Sequence, residues 1–467
     1  MQQPEGFKVI QLCSVAPPQG TATSSSAPTS LPLTFFDIFW LRFPPVERLF
    51  FFELPHQTTT SFFHSIILPN LKHSLQLTLQ HFLPLAGNIT WPLDSLCPII
   101  NYVPGDAVSF TVAESNADFN HLCSNLCDAK ERYPLIPRLT TSHAQASLLA
   151  LQVTVFPSFG FCIGITSHHA ALDGKSSTSF IKAWAYACSK QLIESPSPSS
   201  SLSLSLSLSL PEHLTPFFDR TVIKDPAGIT EAYVDAWLKN GGPNNRSLKV
   251  WEAVSTIETE AVKGLFELTP LHIQKLKQCA QSMLGKNVRL STFSVTCAYV
   301  LTCLVKTERP KTNRVVFMFG IDCRSRLDPP IAPAYFGNCI AGQKVEVETK
   351  KLSENDGFIR ALEGICEALV IAEGGILDGA ENWISSMHTM PEDRYFSTAG
   401  SPRFEVYSID FGWGRPKKVD VTSIDRTGAF SLSESRNNNK GIEIGLTLKK
   451  HEMEVFNALF AQGLESF

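Results

Sequence analysis

An imidazole with a pKa near ~6.5 can accept a proton from a hydroxyl at neutral pH, so a well-placed histidine is a general base in waiting. His169 has such a placement. It follows the alternating apolar residues Phe161, Ile163 and Ile165 and opens the turn Ala170-Ala171-Leu172-Asp173-Gly174. A strand that ends in a tight turn fixes a side chain on rigid scaffold while leaving it facing a cavity. A positioned base is worth roughly 10²–10⁴ in rate. Asp173, four residues on, is close enough to orient the ring or to pin the loop through a basic partner. The same spacing also describes a turn histidine followed by an N-cap aspartate.

Other chemistries have weaker support. His168, His169 and Asp173 are all metal-ligand types, but neighbours on an extended strand point to opposite sides, and no second cluster supplies further ligands. Asp173-Gly174-Lys175-Ser176 resembles the tail of a phosphate-binding loop, yet the glycine required five residues before Gly174 is His169. No GxSxG nucleophile turn occurs. A second unusual segment is Asp410-Phe411-Gly412-Trp413-Gly414-Arg415-Pro416, where two glycines allow a tight backbone path around a large ring. It reads equally as packing or as a ligand contact.

The elements that must carry these residues follow from periodicity. Leu71, Leu75, Leu79 and Phe82 recur at helical spacing, with Pro84 and Gly87 as stops. Leu149 to Val155 and Phe161 to Ile165 alternate on either side of Pro157-Ser158-Phe159-Gly160, which predicts a hairpin, and a helix is expected after Gly174. Further on, 314–321, 404–409, 429–433 and 442–448 read as strands. The stretches 271–284, 292–305, 357–372 and 452–464 read as helices. The expected fold class is therefore α/β in the α+β sense: two similar-sized mixed-sheet domains with a cleft between them. The alternating Ser-Leu run from Ser201 to Leu210, fenced by prolines, reads as an exposed linker. That divides the chain into 1–195, a Ser/Pro/Leu-rich linker over 196–215, and 216–467.

Composition narrows the partners. The 467 residues are 43% hydrophobic, enough for two sizeable cores. A net charge of -4, spread along the chain, gives no electrostatic case for nucleic acid. No apolar run approaches the roughly eighteen residues needed to span a bilayer, and the first thirty residues lack a leader pattern. The twelve cysteines follow no usual zinc spacing. The expectation is a reduced, cytoplasmic chain, monomeric and without membrane insertion, that acts on small molecules.

His169 to Asp173 within His168-His169-Ala170-Ala171-Leu172-Asp173-Gly174, followed some 240 residues later by Asp410-Phe411-Gly412-Trp413-Gly414, resembles the plant BAHD acyl-CoA-dependent acyltransferases. Three segments resemble the flavonoid and anthocyanin malonyltransferase branch: Leu31-Pro32-Leu33-Thr34-Phe35-Phe36-Asp37, Leu83-Pro84-Leu85-Ala86-Gly87-Asn88 and Tyr335-Phe336-Gly337-Asn338-Cys339. The resemblance implies a fold of chloramphenicol-acetyltransferase type, with a solvent channel between the domains and His169 at its centre. It implies that His169, Asp173 and Asp410 form the catalytic motifs, with Asp173 holding the loop through Arg324. Asp410, Gly412, Trp413 and Gly414 would maintain the channel and its CoA side. Ser291 and Thr292 would contact CoA, at a helix start where free N–H groups favour an anion. Thr34, Lys175 and Arg403 would border the substrate channel, the last two as candidate anchors for a malonyl carboxylate.

The implied activity is transfer of malonyl from malonyl-CoA to a sugar hydroxyl, the 6-hydroxyl, of a flavonoid or isoflavonoid glucoside. Malonyl-CoA would be a co-substrate, with no metal or other cofactor. The alternatives are an aromatic donor of coumaroyl type on a phenolic glucoside, and a catalytically silent binding relative that kept the channel.

Overall fold

The computed structural model describes residues 6–18, 27–55, 58–194, 208–251, 260–285, 288–387, 393–437 and 439–466. The hairpin forms as the alternation requires, Leu149–Phe156 against Gly160–Ser167, with Ser158 in the left-handed region at φ 68°. Every residue of both strands is buried, because they are the two central strands of a six-stranded mixed sheet. Its order is Phe7–Val15, Val108–Ser115, Leu149–Phe156, Gly160–Ser167, Val46–Glu53 and Lys418–Val421. The pairing of Val108–Ser115 with Leu149–Phe156 is parallel, and the others are antiparallel.

Helices Leu68–His81 and Gly174–Glu194 pack together beside this sheet. The buried Trp184 fixes their contact, donating its indole N–H to Leu71 O at 3.0 Å and Ser74 Oγ at 3.1 Å. The second sheet has seven strands: Ile340–Glu348, Arg314–Asp322, Arg394–Ala399, Ala429–Glu434, Ile442–Lys449, Ala261–Leu268 and Leu126–Asp128. Helices Thr292–Glu308, Gly357–Gly374 and Lys450–Ser466 pack with it. A small four-stranded sheet is made from Ser30–Pro32, Ile99–Asn101, Asn88–Thr90 and Gln145–Ser147.

Each large sheet borrows a strand from the other half of the chain. Lys418–Val421 pairs with Val46–Glu53 of the first sheet, and Leu126–Asp128 pairs with Ala261–Leu268 of the second. A buried ion cluster ties the exchange together: Asp420 meets Arg132 at 2.5 Å and Lys263 at 3.1 Å, while Asp425 meets the same two cations at 2.8 and 3.3 Å. Burial alone would raise the Asp420 pKa, but Arg132 and Lys263 hold its carboxyl well below the usual range.

Two expectations need correction. Residues 404–409 are not a strand but two short 3-10 turns, Pro402–Phe404 and Val406–Ser408. The residue between them, Glu405, sits at φ 51° and breaks the extended path that the apolar alternation suggested. The Ser-Leu run also does not end as an exposed linker. Leu208 is buried against Leu77 and Ala187, and its carbonyl lies 2.7 Å from His81 Nε2. The rest of that run, residues 201–207, lies outside the described residues.

Candidate active site

The strand Gly160–Ser167 delivers two histidines into different surroundings, as the alternation predicts. His168 is fully buried, and its Nδ1 accepts from Ala170 N at 3.2 Å. Burial, with a smaller effect from His169, pushes its pKa down to about 3. His169 is only partly covered, and its imidazole lies flat against the Trp40 indole, with ring centroids 3.9 Å apart and planes within 5°. Desolvation brings its pKa down to about 4, although its own carbonyl, the charge of Asp173 and the Asn338 carboxamide all favour the proton. At pH 7 the ring is therefore neutral, the state a base requires.

Asp173 makes no hydrogen bond to that ring. Its Oδ1 accepts from Ser176 N at 2.8 Å, capping the helix Gly174–Glu194, and its Oδ2 accepts from Cys339 N at 3.1 Å and meets Arg324 Nη1 at 2.8 Å. Arg324 also binds Asp322 Oδ1 at 3.0 Å and donates through Nη2 to Ser176 Oγ and to the carbonyls of Tyr335 and Gly337. Burial would lower the Arg324 pKa, yet Asp173 and Asp322 keep it above its ordinary value. The pair thus joins the loop after His169 to the Tyr335–Cys339 segment of the other half of the chain.

A second buried network holds the His169 backbone. Asn338 Nδ2 donates to His169 O at 2.9 Å and to Asp37 Oδ1 at 3.1 Å, and Asn338 N donates to the same Asp37 oxygen at 2.8 Å. Arg220 neutralises Asp37 at 3.3 Å and donates to the Tyr335 hydroxyl at 2.6 Å. Thr34 belongs to this scaffold: its hydroxyl donates to Asp37 Oδ2 at 2.9 Å as part of a capping box, rather than presenting a free group to the channel. Trp40, Asp37, Asn338 and Arg220 were given no role from sequence. Asp37 and Asn338 lie in the segments that carried the resemblance, but Trp40 and Arg220 lie outside them.

The remaining candidates are dispersed. Ser291 is the N-cap of the Thr292–Glu308 helix, accepting from Ser294 N at 2.9 Å, and Lys277 Nζ donates to Thr292 Oγ1 at 3.2 Å. A helix N-terminus beside a lysine suits an anionic group. Lys175 is already paired with Asp322 at 3.2 Å. Arg403 is exposed next to Phe404, whose ring would meet a Cβ at Gly174 at only 2.6 Å.

Asp410 is not part of the His169 site. Its Oδ1 accepts from Gly412 N at 2.7 Å and Gly414 N at 3.0 Å, closing its own loop. Gly412 has φ 102°, and a Cβ there would strike Leu192 Cδ1 at 2.4 Å, so the backbone lies directly on the helix Gly174–Glu194 near Ser189 and Leu192. Fifteen residues of helix separate Ser189 from Gly174, roughly 22 Å at 1.5 Å per residue. Phe411 packs edge-on to Phe52 and Trp184, and Trp413 edge-on to Phe161. The loop is a clamp on the far end of the helix that Asp173 caps.

Two mixed sheets exchange strands, and a neutral histidine stands at the end of a central strand. The overall fold is similar to that of the crystal structure of vinorine synthase, with a TM-score of 0.67 at 18% identity, covering 96% of each chain. The chain belongs to the Transferase family, the BAHD acyl-CoA-dependent acyltransferases, whose profile matches residues 20–462, and it is an O-acyltransferase. It is 40% identical to phenolic glucoside malonyltransferase 1 of Arabidopsis thaliana, over 98% of both chains. It is 38% identical to the malonyl-CoA:anthocyanidin 5-O-glucoside-6''-O-malonyltransferase of the same plant, again over 98% of both.

Proposed function

We propose that the protein transfers malonyl from malonyl-CoA to the 6-hydroxyl of a sugar on a flavonoid or isoflavonoid glucoside, with His169 as the general base. The observation that carries the base assignment is the His169 ring, neutral at pH 7 and partly exposed at the end of a fully buried strand. The two named relatives, both malonyltransferases of glucosides and one acting at a 6''-oxygen, support the donor and the position.

His169 takes the proton of the sugar hydroxyl, and the oxygen attacks the thioester carbonyl. The tetrahedral oxyanion collapses to the ester, the C–S bond breaks, and the departing CoA thiolate takes the proton from the imidazolium. Asp173 and Arg324 keep the loop in place, and Ser291, Thr292 and Lys277 receive anionic parts of CoA. A donor-by-acceptor assay tests the reading: malonyl-CoA and coumaroyl-CoA against flavonol, isoflavone and anthocyanidin glucosides, with the product's acyl position fixed by NMR. Faster turnover with coumaroyl-CoA, or acylation away from the 6-hydroxyl, would overturn it.

A further inference from the structure

In many enzymes that use a histidine base, a carboxylate bonded to the second ring nitrogen fixes the plane of the imidazole and stabilises the imidazolium. Here that carboxylate is engaged elsewhere, since Asp173 is taken up by Ser176 N, Cys339 N and Arg324. His169 Nδ1 is buried with no hydrogen-bond partner among the described residues. Asn338 Nδ2 holds the His169 carbonyl and so fixes the backbone, while the plane of the ring depends on its side-chain torsions.

Among the described residues, the ring that lies face to face with the imidazole is Trp40. Its own plane is set from other sides. Phe39 and Phe43 meet it edge-on at 4.8 and 4.9 Å, with interplanar angles of 86° and 69°. Phe39 is in turn packed against Tyr233 and Trp383, and Phe43 against Trp251. The Trp40 indole N–H is also buried with no partner among the described residues, so among them it is ring packing that orients the indole. The constraint therefore runs from the aromatic cluster through Trp40 to His169.

We infer that Trp40 is the positioning residue for His169, holding the imidazole in its working plane and stabilising the imidazolium that forms during acyl transfer through the face of the indole. A cation within about 6 Å of an indole centroid gains from the ring's quadrupole, and gains more where water is excluded. The 3.9 Å stack meets that condition. Trp40 thus serves where other enzymes use a carboxylate, and it does so without adding a negative charge that would raise the resting basicity of the ring. The inference rests on His169 being the base.

The test compares Trp40→Phe and Trp40→Leu with His169→Ala in steady-state kinetics. A loose base costs on the order of 10–100-fold, so Trp40→Leu should lose that much in kcat, with the KM values for malonyl-CoA and acceptor within about threefold of the parent. Trp40→Phe, which keeps a flat ring, should recover most of the rate. Wild-type kcat in Trp40→Leu would overturn the inference. So would a loss confined to the acceptor KM, which would make Trp40 a substrate platform, or equal losses in both Trp40 variants.

Near-normal kcat in His169→Ala would instead sink the base assignment itself, whatever the Trp40 variants do. If Trp40→Leu fails to fold, histidine-labelled native protein decides the matter. The His169 ring protons, assigned by their loss in His169→Gln, should be shifted upfield by the indole ring current, and ordinary positions would overturn the stack.

Discussion

The Asp173 carboxylate meets the Arg324 guanidinium at 2.8 Å, both side chains almost wholly buried, and in doing so turns away from the imidazole four residues before it. Asp173→Asn should therefore act through structure. Among the described residues it leaves buried Arg324 with only the half-exposed Asp322 as counter-charge, at a cost of about 3–5 kcal/mol. A melting temperature lowered by many degrees, with the folded fraction retaining most of its turnover, is the expected result. Unchanged stability with abolished rate would make Asp173 a direct partner in the chemistry.

His169→Ala should reduce kcat by at least about a hundredfold while leaving the donor's affinity nearly unchanged. His168, fully buried with its Nδ1 bonded to Ala170 N, should behave differently. His168→Ala opens a cavity and removes a loop hydrogen bond, so its main effect falls on thermal stability. Kinetics and melting curves measured on both variants separate the two roles.

Asp410→Ala removes the acceptor for two glycine N–H groups of a loop that lies on the helix near Ser189, roughly 22 Å along that helix from the start that Asp173 caps. We expect a loss of about 1–3 kcal/mol in stability, with kcat per folded molecule close to the parent. A calorimetric scan paired with active-site titration checks this. A kcat collapse without destabilisation would place the loop in the reaction.

Both histidines have pKa values depressed from 6.5 in the fold, to about 3 and about 4, because burial disfavours their charged forms. The unfolded chain then binds more protons than the native state between those limits. Stability is full above about pH 6.5 and falls as the pH is lowered toward 4. Urea melts across that range should show the decline, and His168→Leu should flatten it. A melt independent of pH between 6.5 and 4 would contradict the burial of these rings.

Much of the scaffold was legible in the chain. The alternation around Pro157-Ser158-Phe159-Gly160 specified the hairpin, and the period-two phase separated the buried His168 from the partly exposed His169. The helices at Leu68–His81, Gly174–Glu194 and Thr292–Glu308 follow their apolar spacing. These are properties of a few consecutive residues, and backbone periodicity writes them directly into the order of side chains.

What required the folded chain is what depends on neighbours far apart in sequence. No local pattern announces that Trp40 stacks on His169, that Asn338 bonds both Asp37 and the His169 carbonyl, or that Lys418–Val421 crosses into the first sheet. The motif resemblance pointed to Arg324 as the partner of Asp173, but spacing alone could not. It also grouped Asp410 with the catalytic residues, and the path of one helix moved it away, because a 21-residue helix carries its two ends some 30 Å apart. Strand order and side-chain packing are settled by burial across the whole chain, and so the site's second layer of contacts appears only when both halves have closed around it.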